Sequence, residues 1–401
     1  MKLQQKELRK TFTSTINEWR LYIETFLKWL VIASLIGGAG GLMGAIFHHS
    51  IDMAEVFRST HPWLLWLLPI AGLLIVGFYK MTRTEGLNTN HVIRAVHKGK
   101  RLSVLLMPAI FFATVLTQLC GGSAGREGAA LQMGGTIGQW IGRGLHLDDS
   151  DLRIATLAGM AAFFSALFGT PLAAAVFAVM VISIGILYHV ALVPCLIASL
   201  AAYFLAGALG VQPVRFAVQV PEASAMTFFQ VGFLGILCAL VSIFFCMMMH
   251  GAEKGMRKIL PNAWLRVLAG AGIIIVLTYL CGTNDYNGVG MGVIAAAIEE
   301  GKAEPLAFLL KLVFTSVTLA AGFKGGEIVP SFFVGAAFGC VIAPIIGLPA
   351  GFSAAVGLVS VFCGVTNCPI SSVFLSIEIF GAEGMLYFAK SSEGVWKERT
   401  L

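Results

Sequence analysis

An arginine and a glutamate, Arg126 and Glu127, lie side by side in a glycine-rich stretch with apolar sequence on both sides. The stretch reads CGGSAGREGAALQMGG, from Cys120 to Gly135. Clustered glycines interrupt an apolar helix, and the half-helix that follows has unpaired N–H groups and a partial positive charge at its N-terminus. Such an end binds anions. A carboxylate is itself an anion, so Glu127 could occupy this site, take up a proton, leave and admit a transported anion.

A salt bridge between the neighbours Arg126 and Glu127 is the alternative interpretation. Adjacent residues on a helix do not face each other, which disfavours that pairing. An ionisable residue inside a membrane is a functional candidate by default. We therefore predict that Glu127 carries protons and gates an anion path.

The composition places this motif in a membrane protein. Of the 401 residues, 57% are hydrophobic and 12% are charged, and the mean hydropathy is +0.85. Soluble domains carry about 25% charged residues. Several apolar runs exceed the roughly 18–20 residues that a helix needs to cross a bilayer, and others are short and broken by Gly or Pro.

Charge and cysteine content exclude other classes of site. The net charge of +6 comes from cations that flank the apolar runs singly, so no nucleic-acid partner is expected. The eight cysteines form no Cys-x-x-Cys pair and have no histidine at ligand spacing, so we expect no metal and no cofactor. Basic residues are concentrated in segments 1–28, 83–101 and 253–266. Positive loops stay inside, so we predict a multi-pass inner-membrane or plasma-membrane protein with a cytoplasmic N-terminus.

Two stretches about 200 residues apart share the same order of motifs, which indicates an internal repeat. The matched positions are Val92-Ile93 with Val293-Ile294, Gly99-Lys100 with Gly301-Lys302, Glu127 with Glu327, and Pro171 with Pro369. The first copy of the opening motif is basic and the second is acidic, so we expect the halves to be inverted in the membrane, as in secondary transporters. Glycine-rich breaks at 86–90, 121–128, 288–292 and 322–327 would then converge near the midplane.

The predicted organisation has five segments. They are a cytoplasmic amphipathic N-terminal helix (1–28), a first membrane repeat (29–210), a linker with the start of the second repeat (211–262), the rest of the second membrane repeat (263–389) and an atypical polar tail (390–401).

The segment GSAGREGAALQMGG resembles the signature of the CLC family of chloride channels and anion/proton antiporters, and the resemblance extends from about residue 28 to about 389. It implies an all-α polytopic membrane protein, a CLC-type bundle of two inverted repeats with broken and tilted helices. It also implies a homodimer in the lipid bilayer with one anion pathway per subunit. Within this resemblance Glu127 is the gating glutamate.

Departures from the common family pattern resemble the fluoride-exporting branch. The first motif reads Gly86-Leu87-Asn88-Thr89-Asn90, with an asparagine, and the third reads Gly326-Glu327-Ile328-Val329-Pro330, with a glutamate. Val181 stands where chloride/proton antiporters usually carry an inner proton-relay glutamate. That branch is thought to use the glutamate of the third motif instead. It usually has a threonine at the position of Val329, which is the one mismatch.

These motifs define the candidate site. The gating and proton-carrying candidates are Glu127 and Glu327, and the anion-binding candidates are Gly86, Leu87, Asn88, Thr89, Gly125, Arg126, Gly128, Gly326, Ile328 and Val329. Asn88 and Thr89 offer donors to a strongly hydrated fluoride ion, although ordinary helix capping explains them equally well. For Glu327 the alternative is a peripheral acid bound by Lys324. Glu378 lies on an apolar helix, and two roles are open for it: a waypoint for protons or packing against a partner.

The predicted function is transmembrane halide/proton antiport, with fluoride favoured. A chloride/proton antiporter or a passive chloride channel of the same family would share every motif. A membrane-bound nucleotide-using enzyme is a remote alternative, because the spacing of Gly122, Gly125 and Gly128 is not Gly-x-Gly-x-x-Gly and no Walker lysine follows. We therefore do not expect an enzyme.

The C-terminal residues AKSSEGVWKERTL are too polar to span a bilayer. CLC proteins usually continue here into a helix whose tyrosine lines the anion site, yet no tyrosine follows Tyr387. Our expectation from the sequence is a chain truncated or frame-shifted after about Ala389.

Overall fold

The computed structural model describes residues 2–87, 89–98, 101–181 and 188–399, and sixteen α-helices account for most of them. The first eight are α1 Lys2–Thr60, α2 Leu68–Met81, α3 Thr89–Lys98, α4 Leu106–Leu119, α5 Glu127–Gly144, α6 Asp149–Phe168, α7 Pro171–Met180 and α8 Leu192–Ala208. The second eight are α9 Ala225–Ile259, α10 Ala263–Cys281, α11 Met291–Ala295, α12 Ala307–Ala321, α13 Ile328–Ile346, α14 Ala350–Thr366, α15 Pro369–Phe380 and α16 Met385–Arg399.

Helix lengths separate two kinds of element. Within the described part of the chain, seven segments are long and apolar enough to cross a membrane. They are Tyr22–Thr60, Pro62–Met81, Asp149–Phe168, His189–Ala208, Ala225–Ile259, Ala263–Cys281 and Ile328–Ile346. Other apolar helices, such as α4, α7 and α12, have only 10–17 residues. The segment predicted as a separate N-terminal helix is the beginning of α1, which continues without a break to Thr60.

The two sets of eight helices pack in the same order. In the first set α1 contacts α6 and α8, and α4 contacts α5, whereas in the second α9 contacts α14 and α16, and α12 contacts α13. The sets meet where α2 lies against α10, α7 against α15, and α5 against α13. Each half therefore folds as a copy of the other.

Backbone hydrogen bonds between the halves fix how they correspond. Gly125 N donates to Gly326 O over 2.7 Å, and Gly326 N donates to Gly125 O over 2.8 Å. A second reciprocal pair joins Ser123 N to Thr318 Oγ1 and Lys324 N to Thr117 Oγ1. The first pair joins a residue to its own counterpart, and the two bonds of the second pair are each other's counterparts, because Ser123 corresponds to Lys324 and Thr117 to Thr318, as a two-fold axis requires.

This pairing corrects one match made from the sequence. Gly125 corresponds to Gly326, so Glu327 corresponds to Arg126, and Glu127 has Ile328 as its counterpart. Arg126 and Glu327 also share the position before the first helical residue, with φ and ψ of −115° and −6° against −108° and −7°. The match of Glu127 with Glu327 was wrong by one residue, because it followed the residue type, whereas the hydrogen bonds set the register.

Glycines allow the innermost helices to touch backbone to backbone. A Cβ on Gly138 of α5 would lie 2.0 Å from the carbonyl oxygen of Ala155 on α6. A Cβ on Gly339 of α13 would lie 2.1 Å from the carbonyl oxygen of Ser353 on α14. These close approaches hold the broken helices α5 and α13 firmly in the core, where they carry the motifs.

The C-terminal residues continue into α16, which packs against α9 and α14. Ser391, Ser392 and Val395 are buried there, so this part of the helix is packed against its neighbours. Tyr387 is also buried, and its hydroxyl donates to the carbonyl oxygen of Glu222 over 3.2 Å. Residues 400–401 of the predicted tail lie outside the described residues.

The close contact at Gly138 gives a test of the packing. We expect Gly138→Ala to destabilise the protein by about 1–3 kcal/mol, because the added methyl group meets the α6 backbone, which cannot yield easily. Gly144→Ala, on the same helix with open space around it, is the matched control. Thermal unfolding of the purified proteins in detergent measures both, and equal melting temperatures for the two variants would contradict the packing.

Candidate anion and proton site

Two broken helices bring their N-termini together at the centre of the molecule. Helix α4 ends at Leu119 and α5 begins at Glu127, while α12 ends at Ala321 and α13 begins at Ile328. The loops between them are joined by the reciprocal bonds of Gly125 and Gly326. The N-terminal amides and partial positive charges of α5 and α13 therefore lie near each other.

The Glu127 side chain lies at this meeting point and is fully buried. Its Oε1 accepts a hydrogen bond from the backbone amide of Arg126 over 3.1 Å. The backbone amides of Glu127 itself and of Val329, on the first turn of α13, also interact with the carboxylate. Its Oε2 has no hydrogen-bonding partner by geometry. The carboxylate thus sits where the two helix ends would bind an anion.

Two glycines leave the space that this carboxylate fills. A Cβ on Gly125 would lie 2.2 Å from Glu127 Oε2, and a Cβ on Gly326 would lie 2.4 Å from the same atom. A Cβ on Gly128 would lie 2.7 Å from the carbonyl oxygen of Gly325. The glycines of the motifs therefore allow the two loops to lie against each other and allow the carboxylate to lie against both loops.

The Arg126 side chain points away from Glu127, toward α1. Its Nη1 lies 3.2 Å from Asp52 Oδ1 and 3.0 Å from His48 Nδ1, and His48 Nε2 lies 2.9 Å from Asp52 Oδ2. It is the backbone amide of Arg126, rather than its guanidinium, that donates a hydrogen bond to the Glu127 carboxylate. The alternative side-chain salt bridge between Arg126 and Glu127 is absent from the described part of the structure.

Glu327 has different surroundings from Glu127. Its side chain is exposed, and the charges of His250 and Glu253 on α9 act on it. The Lys324 ammonium lies 4.5 Å from the ring centre of Tyr79, and the described residues include no ion pair between Lys324 and Glu327. Glu327 is therefore an accessible carboxylate at the N-terminus of α13.

The first motif contributes one side chain near the two loops. Thr89 Oγ1 lies 3.4 Å from the carbonyl oxygen of Gly128 and 3.3 Å from Gln132 Nε2. Gly86 lies in an exposed turn with φ of +76° and open space around it, and Leu87 packs against the hydrophobic core. Asn88 lies outside the described residues.

Ile328 and Val329 are buried on the first turn of α13, with 6% and 1% of their surfaces exposed. Val329 contributes its backbone amide to the carboxylate site, and its side chain offers no donor. This is the position where the fluoride-like pattern of the sequence has its mismatch.

Glu378 caps another helix. Its two carboxylate oxygens accept hydrogen bonds from Leu172 N and Ala173 N, each over 2.9 Å, at the N-terminus of α7. A carboxylate stabilises a helix N-terminus through these bonds and through the helix dipole. Of the two interpretations left open by the sequence, these contacts favour packing.

Sequence reasoning missed Lys311, which lies fully buried in α12, and the contact of Arg126 with Asp52. A lysine inside an apolar run is a detectable signal, because charged residues are costly in a membrane. The Asp52 contact had no such signal, because 74 residues separate it from Arg126.

The contact between Gly125 and the Glu127 carboxylate predicts that substitutions at these two positions have coupled effects on stability. The Cβ of Gly125→Ala would meet only the flexible Glu127 carboxylate, so we expect the carboxylate to be displaced at a cost of about 1 kcal/mol, the worth of its hydrogen bond. In a Glu127→Ala background the same change should cost little. Thermal unfolding of the four proteins forms a double-mutant cycle, and equal losses in both backgrounds would place the carboxylate elsewhere.

Known sequences match most of the chain. The family model for the voltage gated chloride channel matches residues 71–390. The "Chloride/fluoride channel protein" of Pseudomonas syringae pv. tomato is 35% identical over 366 residues, covering 89% of this chain and 80% of that protein. The "H(+)/Cl(-) exchange transporter ClcA" of Cronobacter sakazakii is 26% identical over 386 residues, covering 89% and 83%.

Solved structures match the fold. A CLC-type fluoride/proton antiporter superimposes with a TM-score of 0.89 at 30% identity, covering 92% of this chain and 95% of that one. A slow cyanobacterial Cl-/H+ antiporter superimposes with a TM-score of 0.78 at 19% identity, covering 92% and 93%. The family and the CLC-type helical fold predicted from the sequence are confirmed. The chain belongs to the CLC family of voltage gated chloride channels and is a polytopic membrane protein.

Proposed function

We propose that this chain exchanges fluoride for protons across a membrane. The observation that carries the proposal is the position of the Glu127 carboxylate, which fills the place where the N-termini of α5 and α13 would bind an anion. The protein relative from Pseudomonas syringae and the solved antiporter, at 35% and 30% identity, are both described with fluoride as a substrate.

The exchange follows from competition for one place. While Glu127 is ionised, its carboxylate accepts the amide of Arg126 and excludes a free anion. Protonation removes the negative charge that holds the side chain between the two helix ends, so the neutral acid leaves and an anion replaces it. When the anion departs, Glu127 releases its proton and returns. The carboxylate and the anion therefore occupy the centre of the protein alternately. The two ions move in opposite directions when Glu127 takes up its proton from the side toward which the anion leaves and releases it to the side from which the anion entered.

Glu327 provides a second carboxyl group at the start of α13. It is exposed where Glu127 is enclosed, and the charges of His250 and Glu253 act on it. We propose that Glu327 takes up protons from the accessible side and, when protonated, adds a hydrogen-bond donor for fluoride.

Fluoride is favoured over chloride by the glutamate of the third motif and the asparagine of the first. Chloride remains the second candidate because Val329 has no hydroxyl and because relatives at 24–26% identity are described as chloride/proton exchangers. A passive chloride channel is distinguished from both antiporters by its lack of proton movement.

The proposed setting is a homodimer in the lipid bilayer of the cell inner membrane or plasma membrane, with a cytoplasmic N-terminus and without a nucleic-acid partner. Basic residues near the ends of the spans support this orientation. Large exposed apolar side chains on α9 and α10, such as Phe229, Leu240 and Val276, are suited to contact with lipid. We propose transport as the activity, without enzymatic chemistry.

Removal of the titrating group tests the coupling. In proteoliposomes, we expect Glu127→Gln to abolish uphill proton movement driven by a fluoride gradient, because the amide cannot carry a proton. Glu299→Gln, which removes an exposed acid outside the site, should keep the parental rate. A pH electrode and a fluoride electrode record both ions, and proton pumping at the parental rate in Glu127→Gln would refute the gating role.

A substitution that adds a hydroxyl at Val329 tests the selectivity between fluoride and chloride. We expect Val329→Thr, a change of nearly equal volume, to raise the ratio of fluoride to chloride transport several-fold, because it adds a donor for a strongly hydrated ion next to the Glu127 carboxylate. Val334→Thr, also buried on α13 but packed against Phe245 and Leu312, is the matched control. An unchanged or lower ratio in Val329→Thr would favour chloride as the substrate.

A further inference from the structure

Lys311 is a fully buried lysine in the middle of the apolar helix α12. Its Nζ donates to the carbonyl oxygens of Gly288 over 2.8 Å and of Tyr286 over 3.2 Å, and it lies 5.2 Å from the ring centre of Phe333. Among the described residues it forms no ion pair with a carboxylate. Carbonyl groups satisfy two of its hydrogens, but no carboxylate lies within ion-pair distance of its positive charge, which is costly in a low-dielectric interior.

The fold does not require a lysine at this position. Thr117 of α4 and Thr318 of α12 are equivalent positions of the two halves. In the same register, Ile110 is the residue of the first half that is equivalent to Lys311. Ile110 is 1% exposed, so an apolar side chain fills the corresponding place in the first half. Lys311 therefore places a buried charge in the second half at a position where the first half has none. Burying that charge is energetically costly, so we expect it to have a specific role.

The loop whose carbonyl groups bind Lys311 is joined by hydrogen bonds to the glycine-rich loop between α4 and α5 in the first half. Gly288 N donates to the carbonyl oxygen of Gly122 over 3.2 Å, and Asn287 Nδ2 donates to that of Gly121 over 2.7 Å. Phe333, beneath the ammonium, lies on α13 beyond the first turn that faces the Glu127 carboxylate. Rigid contacts thus fix the position of Lys311 relative to the anion site.

Three other charges face Lys311. Those of Glu55 and Arg58, on α1, and that of Glu127 all interact with it. Glu55 already accepts a hydrogen bond from Val289 N over 3.2 Å, and its charge opposes that of Arg58. Of the three charges, Glu55 has the largest effect on Lys311, Arg58 opposes it, and the carboxylate of Glu127 adds a second negative charge, the one that belongs to the anion site.

We propose that Lys311 supplies the positive charge that draws a small anion into the site when Glu127 is protonated. This inference rests on the proposed function. When Glu127 becomes neutral and leaves, the ammonium loses one of its two compensating negative charges, and the entry of one halide ion replaces it. Lys311 thereby makes the exchange of one carboxylate for one anion electrically favourable, and it acts as a positioning charge without contact to the reacting groups.

Halide binding to the Glu127→Gln protein tests this role, because the central site is then free of its own carboxylate. Isothermal titration with fluoride and with chloride compares three further substitutions in that background. Lys311→Gln removes the charge but keeps donors for the carbonyl groups, Lys311→Arg keeps the charge, and Lys324→Gln removes a half-buried lysine whose charge interacts with residues of α9 and α10.

We expect Lys311→Gln to weaken halide binding by about tenfold, because the variant removes a unit positive charge that acts on the site through a low-dielectric interior. Lys311→Arg and Lys324→Gln should stay within about twofold of the background. An unchanged Kd in Lys311→Gln would overturn the proposal. Equal weakening in Lys311→Arg, or failure of both Lys311 variants to fold, would assign the lysine to loop structure instead.

The choice of ions separates this inference from the proposed function. If the parental protein transports chloride and not fluoride, the fluoride assignment fails, while the chloride titration still reports the effect of Lys311. If fluoride exchange is established and Lys311→Gln binds both halides as before, only the inference on Lys311 fails.

Discussion

The whole site depends on one pair of backbone hydrogen bonds, in which Gly125 and Gly326 each donate to the other. These bonds join two loops that would otherwise leave polar backbone unsatisfied inside a membrane protein. Because they are reciprocal, they fix the two broken helices with their N-termini toward a common centre. A side chain on either glycine would occupy the place of the Glu127 carboxylate.

The charges around this centre follow from its geometry. Two helix ends create a positive potential, and the carboxylate of Glu127 satisfies it from within the chain. Arg126, whose guanidinium would compete for that carboxylate, is instead bound by Asp52 and His48 on α1. Glu127 is consequently held by backbone amides, and an anion of similar charge can replace it without rearranging a salt bridge.

The sequence was sufficient for the family and the helical fold, and its glycine breaks indicated where two helix N-termini come together beside Glu127, because such breaks and an isolated acid leave a clear signal in an apolar chain. It could not set the register between the halves, since the residue types matched Glu127 with Glu327, whereas the backbone pairing matches Arg126 with Glu327. It also could not indicate that Arg126 turns toward α1 or that Glu378 caps α7, because these contacts join segments distant in the chain. Lys311 could have been noticed, but its carbonyl partners could not.

The central claim is that the Glu127 carboxylate and a halide ion exclude each other from one place, so that an anion binds only when Glu127 takes up a proton. Fluoride titrations of the purified protein in buffers of different ionisation enthalpy measure the protons taken up with each anion. We predict uptake of about one proton per fluoride bound in the parental protein and none in Glu127→Gln, since binding and protonation are linked. Fluoride binding without proton uptake in the parental protein would contradict the account.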